Sequence, residues 1–242
     1  MSWWKFFRPK QKPKPTRGDL GPKPIETLME QVDATPDRPI PFGYKMSWLA
    51  VRSSDSGSVC DALEIDNLQP ANWKAGYIAA YNGHSFISPP VNGWVLLVGH
   101  ELPELGHPPH ERRWTSLMAS LSKKFGVAQY FATHRVSGLD AWACYQGGHE
   151  VRAFAYCDEV LVNRGEVTAG ELELDYDYLD PSFSVEVSEL ERGVPNTFVP
   201  DEEHTMKVAG RWSVNPQLLD QLDTQPGVGW IGNLGWKSKS ER

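Results

Sequence analysis

Between residues 127 and 164 four strand-like segments follow one another with almost nothing between them: "AQYFATHRV", "LDAWACYQ", "EVRAFAYC" and "EVLVNRG". All are rich in β-branched and aromatic residues, and the Gly147-Gly148 pair between the second and third is a hairpin turn. Strands this closely connected pair antiparallel, because a parallel pair needs a long crossover. The run therefore commits the chain to an antiparallel sheet.

Upstream, "YKMSWLAVRS" reads as a strand and "DSGSVCDALEI" as a helix capped by Asp55 or Ser56. "GYIAAYN", "HSFISPP" and "GWVLLVGHE" read as three short strands parted by Asn-Gly and Pro-Pro turns. "ERRWTSLMASLSKKFG" then reads as a helix with Trp114, Leu117, Met118, Leu121 and Phe125 on one face and Gly126 at its end. The order β-α-β-β-β-α-β-β-β-β contains two βαβββ units, the last strand of the first opening the second. The expected fold class is α+β: antiparallel sheet with packed helices and duplicated βαβββ units. Paired βαβββ units also build the vicinal-oxygen-chelate enzymes, which brings a metal into consideration.

At 242 residues, 40% of them hydrophobic and ten of them Trp, the chain can bury a full aromatic-rich core without a staple. Cys60, Cys144 and Cys157 are odd in number and have no CxxC spacing, which argues against a disulfide framework or a thiolate zinc site. No apolar run approaches a signal or spanning segment, so the expectation is a cytoplasmic protein. Charge is unevenly spread. Residues 1–17 hold six Lys/Arg and no acid, leaving 18 basic against 31 acidic residues for the rest. Such a body repels nucleic acid and attracts basic proteins.

Three regions follow. Residues 1–23 are a basic, aromatic and Pro/Lys-rich tail; Trp3, Trp4, Phe6 and Phe7 beside its bases have the composition of a peripheral membrane contact, at the inner face of the membrane. Residues 24–43 hold a short amphipathic helix and a linker. Residues 44–242 form one α+β domain, with an acidic region at 165–191 and C-terminal helices over 201–224, closed by the Gly-rich aromatic "PGVGWIGNLGW" lying across it.

The acidic region contains "ELELDYDYLD". As a strand it sets Glu171, Glu173, Asp175 and Asp177 on one face about 6.6–6.8 Å apart, with apolar and aromatic residues on the other. Thr168 and Glu171 in "TAGE" also fit a capping box, which would turn part of the row into a helical turn. In either form the region has no base nearby, and it is a solvated face or a docking surface for a basic protein. On the second reading Glu171, Glu173, Asp175, Asp177 and Asp180 contact the partner, with Tyr176 and Tyr178.

Other chemistry is sparse. "HELPELGHPPH" gathers His100, His107 and His110, but Glu104 occupies the position where a helical zinc motif needs its second His. His84, His100, His134 and Glu150, each on or beside an expected strand, are the candidate ligands of a chelate-type cup. Cys144 with His134 or His149 is the one plausible thiol and base pair, although alternation turns Cys144 to the same face as Trp142. There is no GxSxG, P-loop or GxGxxG, and no cofactor is expected.

The segments "YKMSWLAVRSSD", "NWKAGYIAAYNGHSFISPPVNGWVLLVG", "FGVAQYFATHRVSGLDAWACYQGGHEVRAFAY" and "FVPDEEHTMKVAGRWSVNP" resemble a family of uncharacterised bacterial cytosolic proteins, over roughly residues 44–216. That resemblance implies no activity and no catalytic residues; the family's profile is that of immunity proteins. The leading expectation is thus a non-enzymatic module that neutralises a basic toxin through an acidic and aromatic surface. The alternatives are a metal-dependent enzyme of chelate-like architecture and a membrane-surface adaptor.

Overall fold

The computed structural model describes residues 32–100, 102–106, 108–176, 179 and 200–234. Its middle layer is one nine-stranded sheet in the order β2-β9-β3-β4-β1-β5-β6-β7-β8. Every adjacent pair is antiparallel. The strands are β1 Met46–Arg52, β2 Ile65–Ala71, β3 Ser85–Ile87, β4 Trp94–Val98, β5 Val127–His134, β6 Leu139–Gln146, β7 His149–Cys157, β8 Glu159–Arg164 and β9 Gly229–Leu234. The helices are α1 Ser56–Ala62, α2 Trp73–Tyr81, α3 Pro108–Phe125, α4 Ala169–Leu172 and α5 Glu202–Trp212, with a 3-10 turn at Pro216–Gln221.

The α+β class and the antiparallel sheet match the sequence reading, whereas the first βαβββ unit does not. "GYIAAYN" lies in α2, not in a strand, and β2 precedes it, so that unit runs βαβαββ. Its true period is helical: Trp73, Gly76, Ala79 and Ala80 are the buried stripe. Two residues fix where α2 starts. Asn72 accepts from Ala75 N at 2.9 Å, and the Asp37 carboxylate accepts from Trp73 N and Lys74 N at 2.6 and 3.1 Å. Asp37 belongs to the stretch read as linker, yet it also bridges to Gly227, and Phe42 is buried in the core. "PGVGWIGNLGW" does not lie across the domain; most of it is β9, inserted between β2 and β3. The helix expected within 24–33 falls outside the described residues except for Val32 and Asp33.

Both sheet faces are covered, which is why most strands are buried on both sides. On one face, Ala128, Ala132, Ala141, Ala143, Ala153 and Ala155 make a floor of small residues under α3, whose Trp114, Met118 and Leu121 fill the space above it. On the other, Trp48, Phe131, Trp142 and Phe154 carry the volume and meet Met206, Val208 and Ala209 of α5. The sheet's own edges are blunted. β2 has a bulge between Asp66 and Gln69 and carries Pro70. β8 is bulged opposite Ala155 and Tyr156, with Gly106 of the loop between β4 and α3 close against Leu161 and Val162. No described helix is long and apolar enough to cross a membrane.

α2 approaches the sheet through Gly76, where a Cβ would fall 2.0 Å from the Phe86 ring. Gly76→Ala should therefore destabilise the protein by about 1–3 kcal/mol through overpacking, despite alanine's higher helix propensity. The measurement is a urea midpoint; a midpoint equal to or above wild type would refute this packing.

Candidate functional site

The acidic row is not a face. Thr168 and Glu171 form the capping box of α4, the row bends away through a turn, and Asp175 adopts a left-handed φ of +61°. Glu171 is fully buried, so it makes no partner contact. Its carboxylate accepts from Arg152 Nε at 2.9 Å, Trp142 Nε1 at 2.8 Å, and Thr168 N and Oγ1, both at 2.8 Å. Arg152, equally buried, also donates to Asn163 Oδ1 at 2.6 Å and to the carbonyls of Arg164, Gly165 and Leu179. Each charge is surrounded by groups of the opposite polarity, the condition under which a buried pair is tolerated.

Of the remaining row, Glu173 is exposed and 3.5 Å from Arg211, Asp175 is exposed, and Tyr176 is buried beside His204. Asp177, Tyr178 and Asp180 lie outside the described residues, as do Trp3, Trp4, Phe6 and Phe7.

The four candidate metal ligands do not share a site. Glu150 lies at the opposite end of the sheet from His134, where Arg164 Nε and Nη2 and the Tyr145 hydroxyl all donate to it. His84 is buried with its Nδ1 3.0 Å from Asn233 Oδ1. His100 and His134 alone come together, their ring centroids 5.7 Å apart. Among the described residues no group of three or more His, Cys, Asp or Glu is placed to hold a metal. His107 and the side chain of His110 are outside the description. Burial raises the thiols of Cys60 and Cys144 to about 11, so neither is an activated nucleophile near neutral pH.

What the fold does assemble is one end of the sheet. There β1 begins, β4 and β5 end and β6 begins, since Met46 pairs with Thr133, His134 with Leu139, and Gly99 N donates to Ser47 O. Tyr77, Tyr81, His100 and His134 form a run of ring contacts at 4.9, 4.9 and 5.7 Å. Beside it the chain enters β1 through Tyr44 and Lys45, two consecutive non-glycine residues at φ +44° and +68°. Such residues cost about 1–3 kcal/mol each and persist only when the surroundings hold them. Here the Tyr81 hydroxyl lies 3.3 and 3.2 Å from the Gly43 and Tyr44 carbonyls, and the Arg135 guanidinium lies 5.0 Å over the Tyr44 ring.

The result is an outward-facing group: Tyr44 41% exposed, Tyr81 39% and Val136 81%. Carboxylates border it. Arg135 pairs with Glu202 at 2.5 Å, with Asp201 before it as the N-cap of α5 and Glu203 after it on the first turn. The Glu104 charge also acts on His134, partly offsetting the effect of burial. Sequence reading named His100 and His134 but missed Tyr44, Tyr81, Arg135 and Val136, because no local pattern marks a turn made by two left-handed non-glycine residues.

No family model matches the chain, and neither does any curated protein or solved structure.

Two predictions follow from this geometry. Glu171→Gln leaves the buried Arg152 charge uncompensated and should cost about 3–5 kcal/mol in urea unfolding, while the double change Arg152→Met with Glu171→Leu should recover much of that loss. A Glu171→Gln effect below about 1 kcal/mol would contradict the network. Burial lowers the pKa of both His100 and His134 from 6.5, and His134 further lowers that of His100. An NMR titration should place both midpoints below 6.5, and His134→Gln should move the His100 midpoint upward; an unmoved midpoint would mean that the rings are uncoupled.

Proposed function

We propose that this chain is a protein-binding module of immunity type, which neutralises a basic partner through the aromatic and acidic end of its sheet. The observation that carries the reading is the backbone held in an unfavourable conformation at Tyr44 and Lys45, bonded to the Tyr81 hydroxyl, with both tyrosines exposed. Aromatic side chains at the centre of a contact supply most of the binding energy, and surrounding charge supplies steering and selectivity. The surrounding charge on the α5 side includes Asp201, Glu202 and Glu203 in sequence, Glu203 paired with Lys207, and the exposed Asp175 on the turn whose Tyr176 meets His204. Net charge favours the same class of partner, since the chain beyond residue 17 carries 31 acids against 18 bases.

The surface differs from the one read in the sequence. Glu171 drops out because it is a core residue, and the aromatic contribution passes from Tyr176, which is buried, to Tyr44 and Tyr81. Immobilised protein in native lysate should retain a basic protein at low salt and release it near 0.5 M salt, where the Debye length is only a few ångströms. Tyr44→Ala should reduce retention at least tenfold, and Asp175→Asn with Glu203→Gln should slow association, both without lowering the melting temperature by more than a few degrees. Retention of the same protein at wild-type strength by both variants would overturn the assignment of the surface.

A further inference from the structure

Helix α5 is seated on the sheet through a carboxyl group. Asp140 of β6 is 5% exposed on the α5 face, and Thr205 Oγ1 of α5 donates to its Oδ1 at 3.1 Å. Thr133 of β5 stands opposite it on one side and Tyr156 of β7 on the other. The charged groups around it are Asp201 and Glu202 at the start of α5, with His204 on Asp201 at 2.6 Å, and Arg135 beyond β5, engaged by Glu202. Tyr176 is the titratable group that the turn after α4 brings beside His204. No ion pair among the described residues includes Asp140. The helix N-terminus gives it little help either, because Asp201 already takes the amides of Glu203 and His204. Ionised, Asp140 would be a buried charge stabilised by hydroxyls alone and facing two like charges; protonated, it is a neutral group in a polar niche.

We propose that Asp140 is a proton-operated latch for α5: the protonated acid seats the first turn of the helix on β6, and ionisation releases that turn with Asp201, Glu202 and Glu203. Parity along β6 supports this assignment, since Asp140 shares its buried face with Trp142 and Cys144.

The sign follows from linkage. Burial, with the Glu202 and Asp201 charges adding to it and the Thr133 and Thr205 hydroxyls opposing, raises the carboxyl from 3.8 to about 7. The docked state therefore holds a proton that the released state has lost. Docking is strongest below the free-state value, weakens by up to about tenfold per pH unit as the pH rises to about 7, and is level above that. His100 and His134, whose pKa values are lowered, work the other way and favour the fold as the pH rises to about 6.5. Wild-type pH dependence thus mixes the two, and the Asp140→Asn variant separates them.

The test is amide hydrogen exchange over residues 202–212 between pH 5 and 8, corrected for intrinsic rate, with α3 amides as an internal reference. The opening of α5 in wild type relative to Asp140→Asn should rise by up to about tenfold per unit to pH 7 and then level, with α3 protection unchanged in the ratio. Thr205→Val retains the acid but removes its donor, and should open α5 most at pH 8. A wild-type to Asp140→Asn ratio that is flat with pH overturns the latch, as does a Thr205→Val effect that is no larger at pH 8 than at pH 5. The measurement involves no partner, so it stands or falls independently of the binding function.

Discussion

The Arg152–Glu171 pair is the interaction on which the C-terminal third of the fold depends. It ties the α4 segment, which follows β8, to the centre of β7 and, through Trp142, to β6. From Thr168 the connection continues to α5, because Trp212 Nε1 donates to the same hydroxyl that donates to Glu171. A hydrophobic pair of similar volume would serve stability as well or better, since desolvating two charges costs several kcal/mol per ion before they meet. An apolar pair, however, would not select one register. The guanidinium reaches the carbonyls of Arg164, Gly165 and Leu179, and these partners fix where the segment crosses β7.

The sheet can accept a charge in its core because its two faces are unequal. The alanine floor on β5, β6 and β7 lets α3 sit close, so that layer is filled from above by Trp114, Met118 and Leu121. The opposite layer is filled from below by Phe131, Trp142 and Phe154, which meet Met206, Val208 and Ala209 of α5. Long polar side chains are buried between these aromatics. Arg152, Asp140 and Gln129 all face this layer, as their alternation with the alanines requires.

Parity makes much of this legible in the sequence. "EVRAFAYC" sets Arg152 on the face of Phe154, and "LDAWACYQ" sets Asp140 on the face of Trp142, so a reading by alternation places one base and one acid inside before any coordinates are known. The capping box at Thr168 and Glu171 was legible too, but its Glu was read as a surface acid because the box says where a helix starts and nothing about depth. "GYIAAYN" was misread because a short apolar run fits both periods, and the deciding group, the Asp37 carboxylate on Trp73 N, lies 36 residues away. β2 was missed for a related reason: "IDNLQPA" has the Pro and the irregular polarity of a loop, and it is a strand because β9 returns to pair with it.

The end of the sheet around Tyr44 belongs to a different class of feature, one that local pattern cannot show. Two left-handed non-glycine residues in succession oppose every local preference at those positions, and folding would relax them if the neighbouring groups allowed it. They are instead held by the Tyr81 hydroxyl, by Arg135, and by Phe42, whose amide bonds to Pro216 O and whose ring meets Trp48 and Tyr77. Each holding group comes from a separate element, and Arg135 also holds Glu202 at the head of α5. The outward pose of Tyr44 and the seating of α5 are therefore mechanically linked through one side chain. A change at either reaches the other across Arg135, which joins the aromatic half of this surface to its acidic half.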